Sequence, residues 1–211
     1  MNLPVVKEGF YVIVPFLILL LLLLIFSQNY FAIIPVFLIT LFLIFFFRDP
    51  LRIPPEEENL VVAPADGKVI KLEKVYEGKY LKGDAVMVSI FMSLFSVHIN
   101  RVPVSGEVEG IDYNKGKFLA AFKEKASLDN EQNTVIIKAG ERKIIVKQIA
   151  GLIARRIICW LSKGQRIQAG EKLGLICFGS RADLFIPGNV EIKVKLGENV
   201  KGGETIIGVL K

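Results

Sequence analysis

The sequence predicts a mainly β domain carried behind a pair of apolar membrane helices. Three observations lead there: a stretch over residues 10–47 without one charged side chain, a series of short strand-like runs from Val61 to the end, and a turn-and-strand motif that occurs twice near the C-terminus. The chain has 211 residues, enough for one ordinary domain plus an appendage. Its hydrophobic content of 52% is high for a soluble protein, and the excess is concentrated before Arg48.

The first element is the anchor, residues 1–47. Runs 10–27 and 30–47 are each about 18 residues and apolar, near the lower limit for crossing a hydrocarbon core of roughly 30 Å. Ser27-Gln28-Asn29 separates them with polar turn formers, so they read as a transmembrane helical hairpin. Pro15 and Pro35 lie inside the runs, where membrane helices tolerate them. A secretory signal is the rival, but the leader has one Lys beside one Glu and no small-residue cleavage site follows. A hairpin dipping into one leaflet is a second alternative. Lys7 precedes the hairpin and Arg48, Arg52, Lys68 and Lys71 follow it, while the connecting loop is uncharged. The positive-inside rule then predicts a cell-membrane protein with its soluble domain on the cytoplasmic side.

Next comes a linker, residues 48–60, stiffened by Pro50, Pro54 and Pro55 and solvated at Glu56-Glu57-Glu58. The domain of residues 61–211 shows strand-like runs at 67–72, 85–92, 106–113, 134–138, 143–150, 172–178, 190–195 and 205–210. Residues 126–130 and 152–161 offer the only helical options. The repeat is Gly164-Gln-Arg-Ile-Gln-Ala-Gly170-Glu171 against Gly197-Glu-Asn-Val-Lys-Gly-Gly203-Glu204, each followed by an apolar strand. Its glycines suit tight turns of positive φ. The pattern is similar to that of biotinyl- and lipoyl-carrier domains, which implies a barrel-sandwich-hybrid-like β fold. The carriers modify a lysine at a hairpin tip, whereas here Phe178-Gly179-Ser180-Arg181 stands in the corresponding segment.

Composition excludes several classes. Two cysteines, Cys159 and Cys177, and one histidine, His98, are too few for a structural zinc site or a disulfide framework. They read as two half-buried thiols in a reducing compartment. Lys7 and Glu8 cancel, so the formal charge of +6 belongs to the part from Arg48 onward. A basic domain next to a membrane segment suits an anionic bilayer surface, and no nucleic-acid recognition motif accompanies it.

The residues with chemical potential centre on Gly179-Ser180. A Gly-Ser pair alone is most often a turn. Here it ends an apolar strand, and glycine leaves room for the serine hydroxyl to turn back on the preceding carbonyl. Attack would shift the acyl group from nitrogen to oxygen. Elimination from the ester and loss of ammonia would then leave a pyruvoyl group at position 180.

Five ordered motifs carry a family resemblance. Phe178-Gly-Ser-Arg-Ala-Asp-Leu-Phe-Ile-Pro187 resembles the processing site of the short phosphatidylserine decarboxylases. Phe46-Phe-Arg-Asp-Pro50, Ala63-Pro-Ala-Asp-Gly-Lys-Val69, Phe91-Met-Ser-Leu-Phe-Ser-Val-His-Ile-Asn-Arg-Val-Pro103 and Asn130-Glu-Gln-Asn133 resemble that family's other signatures in order.

The resemblance implies a self-cleaving, pyruvoyl-dependent decarboxylase acting on phosphatidylserine. Cleavage between Gly179 and Ser180 gives chains 1–179 and 180–211, which stay together as a heterodimer; a higher oligomer is left open. Ser180 is then the nucleophile and the precursor of the covalent pyruvate, His98 takes its proton, and Asp66 orients the imidazole. No metal or dissociable cofactor is implied. On sequence alone Asp66 is equally a turn residue, since Asp-Gly is a common turn pair, and His98 equally a core histidine.

Arg101 stands where longer relatives have a second histidine, so His98 is expected to serve both maturation and decarboxylation. Arg101 and Arg181 are candidates for the substrate carboxylate or phosphate, against surface arginine as the alternative. Arg155-Arg156 is either a headgroup contact or a solvated face. Phe91, Met92, Leu94, Phe95 and Val97 are either a lipid-facing lip or ordinary buried strand. The competing functions are an ether-lipid (archaetidylserine-type) decarboxylase, a non-catalytic membrane-anchored lipoyl-like adaptor, and a soluble pyruvoyl amino-acid decarboxylase, against which the apolar hairpin argues.

Overall fold

A computed structural model describes residues 4–27, 29–57, 59–116, 130–151, 156–177, 179–188 and 190–211. It falls into two compact units, Met1–Leu51 and Arg52–Lys211.

The first unit is a helical hairpin of α1 (Lys7–Phe26) and α2 (Tyr30–Phe46). The Asn29 side chain starts α2 by accepting the Phe31 N–H at 3.0 Å, which satisfies one donor left over at a helix N-terminus. The open ends are tied together where Phe47 O accepts Val6 N–H at 3.0 Å and Pro4 O accepts Asp49 N–H at 2.8 Å. The helices differ from two equal runs. α1 takes its first turn from Lys7, Glu8 and Gly9 and reaches 20 residues, long and apolar enough to cross a membrane. α2 stops at 17 because Phe47 leaves helical geometry. Leu21, Leu24, Ile25, Ile34 and Leu38 are exposed, so the hairpin is apolar on faces that nothing in the unit covers.

The second unit is mainly β, as the sequence predicts. Its strands are β1 (Leu60–Val62), β2 (Gly67–Glu77), β3 (Gly83–Met92), β4 (Ile99–Arg101), β5 (Gly106–Lys115), β6 (Glu131–Ala139), β7 (Arg142–Ile149), β8 (Ile157–Cys159), β9 (Arg166–Ile167), β10 (Lys172–Ile176), β11 (Ser180–Pro187), β12 (Val190–Ile192), β13 (Asn199–Val200) and β14 (Ile206–Leu210). The helical option at 152–161 is corrected: Ile157–Cys159 is a strand, held against β10 by its backbone, and 152–155 lie outside the described residues. In the other helical option, 126–129 lie outside them too, and Asn130 enters a β-bridge. Cys159 and Cys177 are half-buried and not disulfide-bonded.

Sheet order exposes an internal symmetry. The large sheet runs β13-β2-β3-β11-β7-β6-β5-β9, and the two small sheets run β1-β14-β12 and β4-β10-β8. Reversed about the antiparallel β11–β7 pair, the order β13-β2-β3-β11 corresponds to β9-β5-β6-β7, and that of one small sheet to the other. Individual bonds repeat as well. Gly164 N–H donates to Val108 O and Gly197 N–H to Val69 O, both at 2.8 Å. Gly170 N–H donates to Val102 O and Gly203 N–H to Ala63 O, again both at 2.8 Å. The domain is therefore two interlocked copies of one motif. Each copy clasps a Pro-x-x-Gly-x-Val strand entry, Pro64–Val69 or Pro103–Val108, with a Gly-rich turn from far along the chain.

The chain path is asymmetric where the sheet is not. In one copy β6 and β7 are consecutive and joined by a turn at Gly140-Glu141. In the other, the equivalent strands β3 and β11 pair from Ala85↔Pro187 to Met92↔Ser180, yet the whole second copy is inserted between them. Ser180 is thus the residue at which the chain rejoins an interrupted hairpin. One apolar core fills the space between the sheets, with Val69, Val88, Ile90, Ile137, Val146 and Leu184 from the large sheet and Val61, Leu173 and Ile207 from the small ones.

The equivalent glycines Gly67 and Gly106 both lie so close to the neighbouring strand that a Cβ would overlap a backbone carbonyl, of Phe91 and Lys138 respectively. In Gly106→Ala, which lies in the copy without the chain seam, the overlap should cost about 1–3 kcal/mol. It is read as a lowered thermal unfolding midpoint of the full-length chain in detergent.

Candidate active site

Three strands deliver the sequence-predicted side chains to one end of the large sheet. Ser180 opens β11 opposite Met92, the last residue of β3. Lys68 pairs with Phe91, so Asp66, two residues earlier, stands at the same end of β3. His98 lies just before β4, and its carbonyl accepts the Ile176 N–H at the end of β10, 3.3 Å away. The chain needs only three more residues from Ile176 to reach Gly179.

Ser180 shares the core-facing side of β11 with Ala182 and Leu184 and is fully buried. Its Oγ has no hydrogen-bond partner among the described residues. A buried hydroxyl left unsatisfied costs free energy and calls for an explanation. Gly179, immediately before it, has φ +64° with open space where a side chain would be. That is a left-handed conformation most side chains avoid.

His98 is 1% exposed. Its Nδ1 lies 3.0 Å from the Ser96 carbonyl oxygen. A carbonyl only accepts, so Nδ1 carries the proton and Nε2 is left as the basic nitrogen. Asp66 is fixed on both oxygens: Oδ1 accepts the Gly202 N–H at 2.7 Å, and Oδ2 meets Arg52 Nη2 at 2.6 Å. His98 and Asp66 are thus each oriented by their own neighbours, while Ser180 is placed by its strand pairing with β3.

Around them the core is unusually polar. Asn133 Nδ2 donates to Gln148 Oε1 at 2.8 Å, Gln148 Nε2 donates to Asn100 Oδ1 at 2.8 Å, and Asn100 Nδ2 points at Met92 Sδ, 3.5 Å away. All three amides are buried. This relay ends on the residue facing Ser180. It also accounts for part of the Asn130–Asn133 motif, whose first residue donates to Ala150 O at 2.7 Å. Gln148 was not singled out from the sequence. Its signal is a lone amide in the apolar run Ile144-Ile-Val-Lys-Gln-Ile149.

Arg101 and Arg181 are both buried, which excludes the surface-arginine alternative. Arg101 is buried, donates from Nη1 to Gly170 O at 3.1 Å, and lays its stem near Gly203, bracing the two equivalent turns. Arg181 lies on the face of β11 opposite to Ser180, 1% exposed. Its Nη2 donates to Asp183 Oδ2 at 2.9 Å, and Nε stands 2.9 Å from Oδ1, out of line for a hydrogen bond. Its charge is therefore matched inside the fold rather than presented to a ligand. Lys147 shares that face; burial pushes its ammonium below the usual lysine range, against the pull of Asp183 and Glu77. Arg155 lies outside the described residues, and Arg156 is exposed. Of the apolar lip, Met92 and Val97 are core, while Leu94 and Phe95 are exposed, Phe95 at 70%.

A buried hydroxyl and a buried imidazole at one end of a sheet are groups that nucleophilic chemistry can use. Comparison with known proteins makes the class specific. The family model for phosphatidylserine decarboxylase matches residues 39–208. A phosphatidylserine decarboxylase proenzyme of Syntrophus aciditrophicus (strain SB) is 44% identical over 205 residues, covering 97% of this chain and 96% of the relative. Proenzymes of the same name from Geotalea uraniireducens (strain Rf4) and Geobacter sulfurreducens (strain ATCC 51573 / DSM 12127 / PCA) are each 50% identical over 165 residues, 78% of this chain. The chain belongs to the phosphatidylserine decarboxylase family.

Replacing Gln148 by Leu strands the Asn133 and Asn100 amide groups in the core. The loss should be about 1–3 kcal/mol, measured by thermal unfolding in a Ser180→Ala background so that chain cleavage does not enter the comparison.

Proposed function

We propose that this chain is a proenzyme that cuts itself between Gly179 and Ser180 and then converts phosphatidylserine to phosphatidylethanolamine with a pyruvoyl group made from Ser180. The observation that carries the reading is the Ser180 hydroxyl: buried, without a partner among the described residues, and preceded by Gly179 at φ +64°. In a family member, a hydroxyl kept out of other bonds beside a glycine in a left-handed conformation fits a group used up in making the cofactor.

In maturation, Ser180 Oγ adds to the Gly179 carbonyl carbon as His98 Nε2 takes its proton. The peptide C–N bond breaks and an ester forms. Loss of the Ser180 α-proton expels the Gly179 carboxylate by breaking the Oγ–Cβ bond, and hydrolysis releases ammonia, leaving the ketone. Asp66 contributes negative charge to the end of the sheet where the imidazolium forms. Once made, the pyruvoyl group supplies an electron sink for the carbanion left by CO2. His98 is buried at the same end of the sheet and is the only imidazole in the chain, which supports its use as the acid that returns a proton to carbon.

The two products remain one domain. The small chain, 180–211, holds β11, which is paired on one side with β3 and on the other with β7, both in the large chain. The proenzyme sits in the cell membrane through its N-terminal hairpin. Lys7 and Arg48 flank the hairpin and its connecting turn has no charged residue, which favours the cytoplasmic side for the β domain. A two-chain anionic phospholipid hardly leaves the bilayer, so a tethered site meets it at high local concentration.

Mass spectrometry of the full-length protein in detergent tests the reading. Two chains are expected, the smaller lighter than its serine form by one ammonia, while Ser180→Ala stays a single chain that releases no CO2 from phosphatidylserine vesicles. An intact, serine-bearing chain with full activity would overturn it.

A further inference from the structure

At one pair of equivalent positions the two copies of the motif hold the same turn with different side chains. In one, Ser105 Oγ accepts the Ala169 N–H at 3.0 Å; in the other, Asp66 Oδ1 accepts the Gly202 N–H at 2.7 Å. The same turn is held in both, and in the first a neutral hydroxyl suffices. The negative charge of Asp66 is therefore more than the architecture requires. It also carries a cost, because the carboxylate is only 17% exposed and a buried charge needs a partner. Arg52 is that partner, itself 9% exposed, with Nη2 on Asp66 Oδ2 at 2.6 Å and Nη1 on Glu204 Oε2 at 3.1 Å.

We propose that Arg52 is a positioning residue for maturation, holding the Asp66 carboxylate in one orientation at the Ser180 end of the sheet. This rests on the reading of Asp66 and Ser180 given above. With Oδ1 tied to a backbone amide and Oδ2 to one prong of a planar guanidinium, the carboxylate has no rotational freedom left. The other prong reaches Glu204, which lies beyond the scissile bond. One guanidinium thus joins the residue that shapes the reaction to the chain the reaction releases, before and after the cut.

The test follows the appearance of the 180–211 fragment after cell-free synthesis of the full chain into detergent micelles. Arg52→Met should slow it roughly 10- to 100-fold, the penalty of a displaced reacting group. Arg52→Lys, which keeps the charge, should recover most of the rate. Glu204→Gln removes the other ion pair of the same guanidinium and should process close to wild type. Thermal midpoints in the Ser180→Ala background show whether each variant folds. If Arg52→Lys or Glu204→Gln were as slow as Arg52→Met, the residue would be a brace for the fold and the inference lost. Wild-type processing in Arg52→Met, with Asp66→Ser slow, sinks the inference alone. Wild-type processing in Asp66→Ser would remove Asp66 from the maturation chemistry as well.

Discussion

The reactive end of this domain depends on one pairing made across a long gap in the chain, β11 against β3. The partners Met92 and Ser180 are separated by the entire second copy of the motif, so the pairing has to offset the closure of a long loop. It does so because the inserted copy is itself folded, and because the two copies share a sheet and a core. Val146 on β7 and Val88 on β3 both pack against the strand that carries Ser180. Once the loop is closed, residues from four distant segments meet: 52–66, 92–100, 176–180 and 202–204.

The two copies show what architecture demands and what it does not. Clasp, glycine contact and turn are common to both, so they belong to folding. The buried polar groups are not common. His98, Asn100, Gln148 and Ser180 are all buried at or near the rejoined end. In a low-dielectric interior a polar group is costly unless paired. Three amides have paired with each other to form the relay. Ser180 Oγ has no partner among the described residues, and neither the sheet nor the core benefits from it. A group retained at a net cost to folding is best explained by its reactivity.

The fold was legible in the sequence where a strand-like run between turn residues was long enough, as in β3, β5 and β7. It was not legible in β1, β4, β8, β9 and β13, which have three residues or fewer and no period to read. Half of the internal repeat was visible because its Gly-x-x-[Ile/Val]-x-x-Gly-Glu turns are dense in glycine. The strand-entry half, Ala63–Val69 against Val102–Val108, shares only Pro, Gly and Val and emerges from the hydrogen bonds. At the site, Ser180, His98 and Asp66 were singled out by motif, but the groups that hold His98 and Asp66 in place were not. Arg52 reads in sequence as one more positive flank of a membrane segment, because nothing local ties it to Glu204. That Arg181 points to the opposite face from Ser180 follows from strand alternation, whereas its burial does not and emerges only from the structure.

The position of the proposed cut has a mechanical logic. Breaking a peptide bond inside a sheet would ordinarily free an end to fray. Here the bond lies where, by the symmetry of the two copies, a hairpin turn would otherwise stand, just before the first rung of the β3–β11 ladder. No rung spans it. The Ser180–Met92 pair and every pair up to Pro187–Ala85 lie on one side of it, and the second copy, with its own clasp, lies on the other. Severing the link removes a connection that the sheet does not use for its hydrogen bonds. The new chain end is left embedded between β3 and β7. A fold assembled from two interlocked copies can lose the seam between them and keep its structure, and a reactive group generated at that seam stays in the one place where the rest of the site has been gathered.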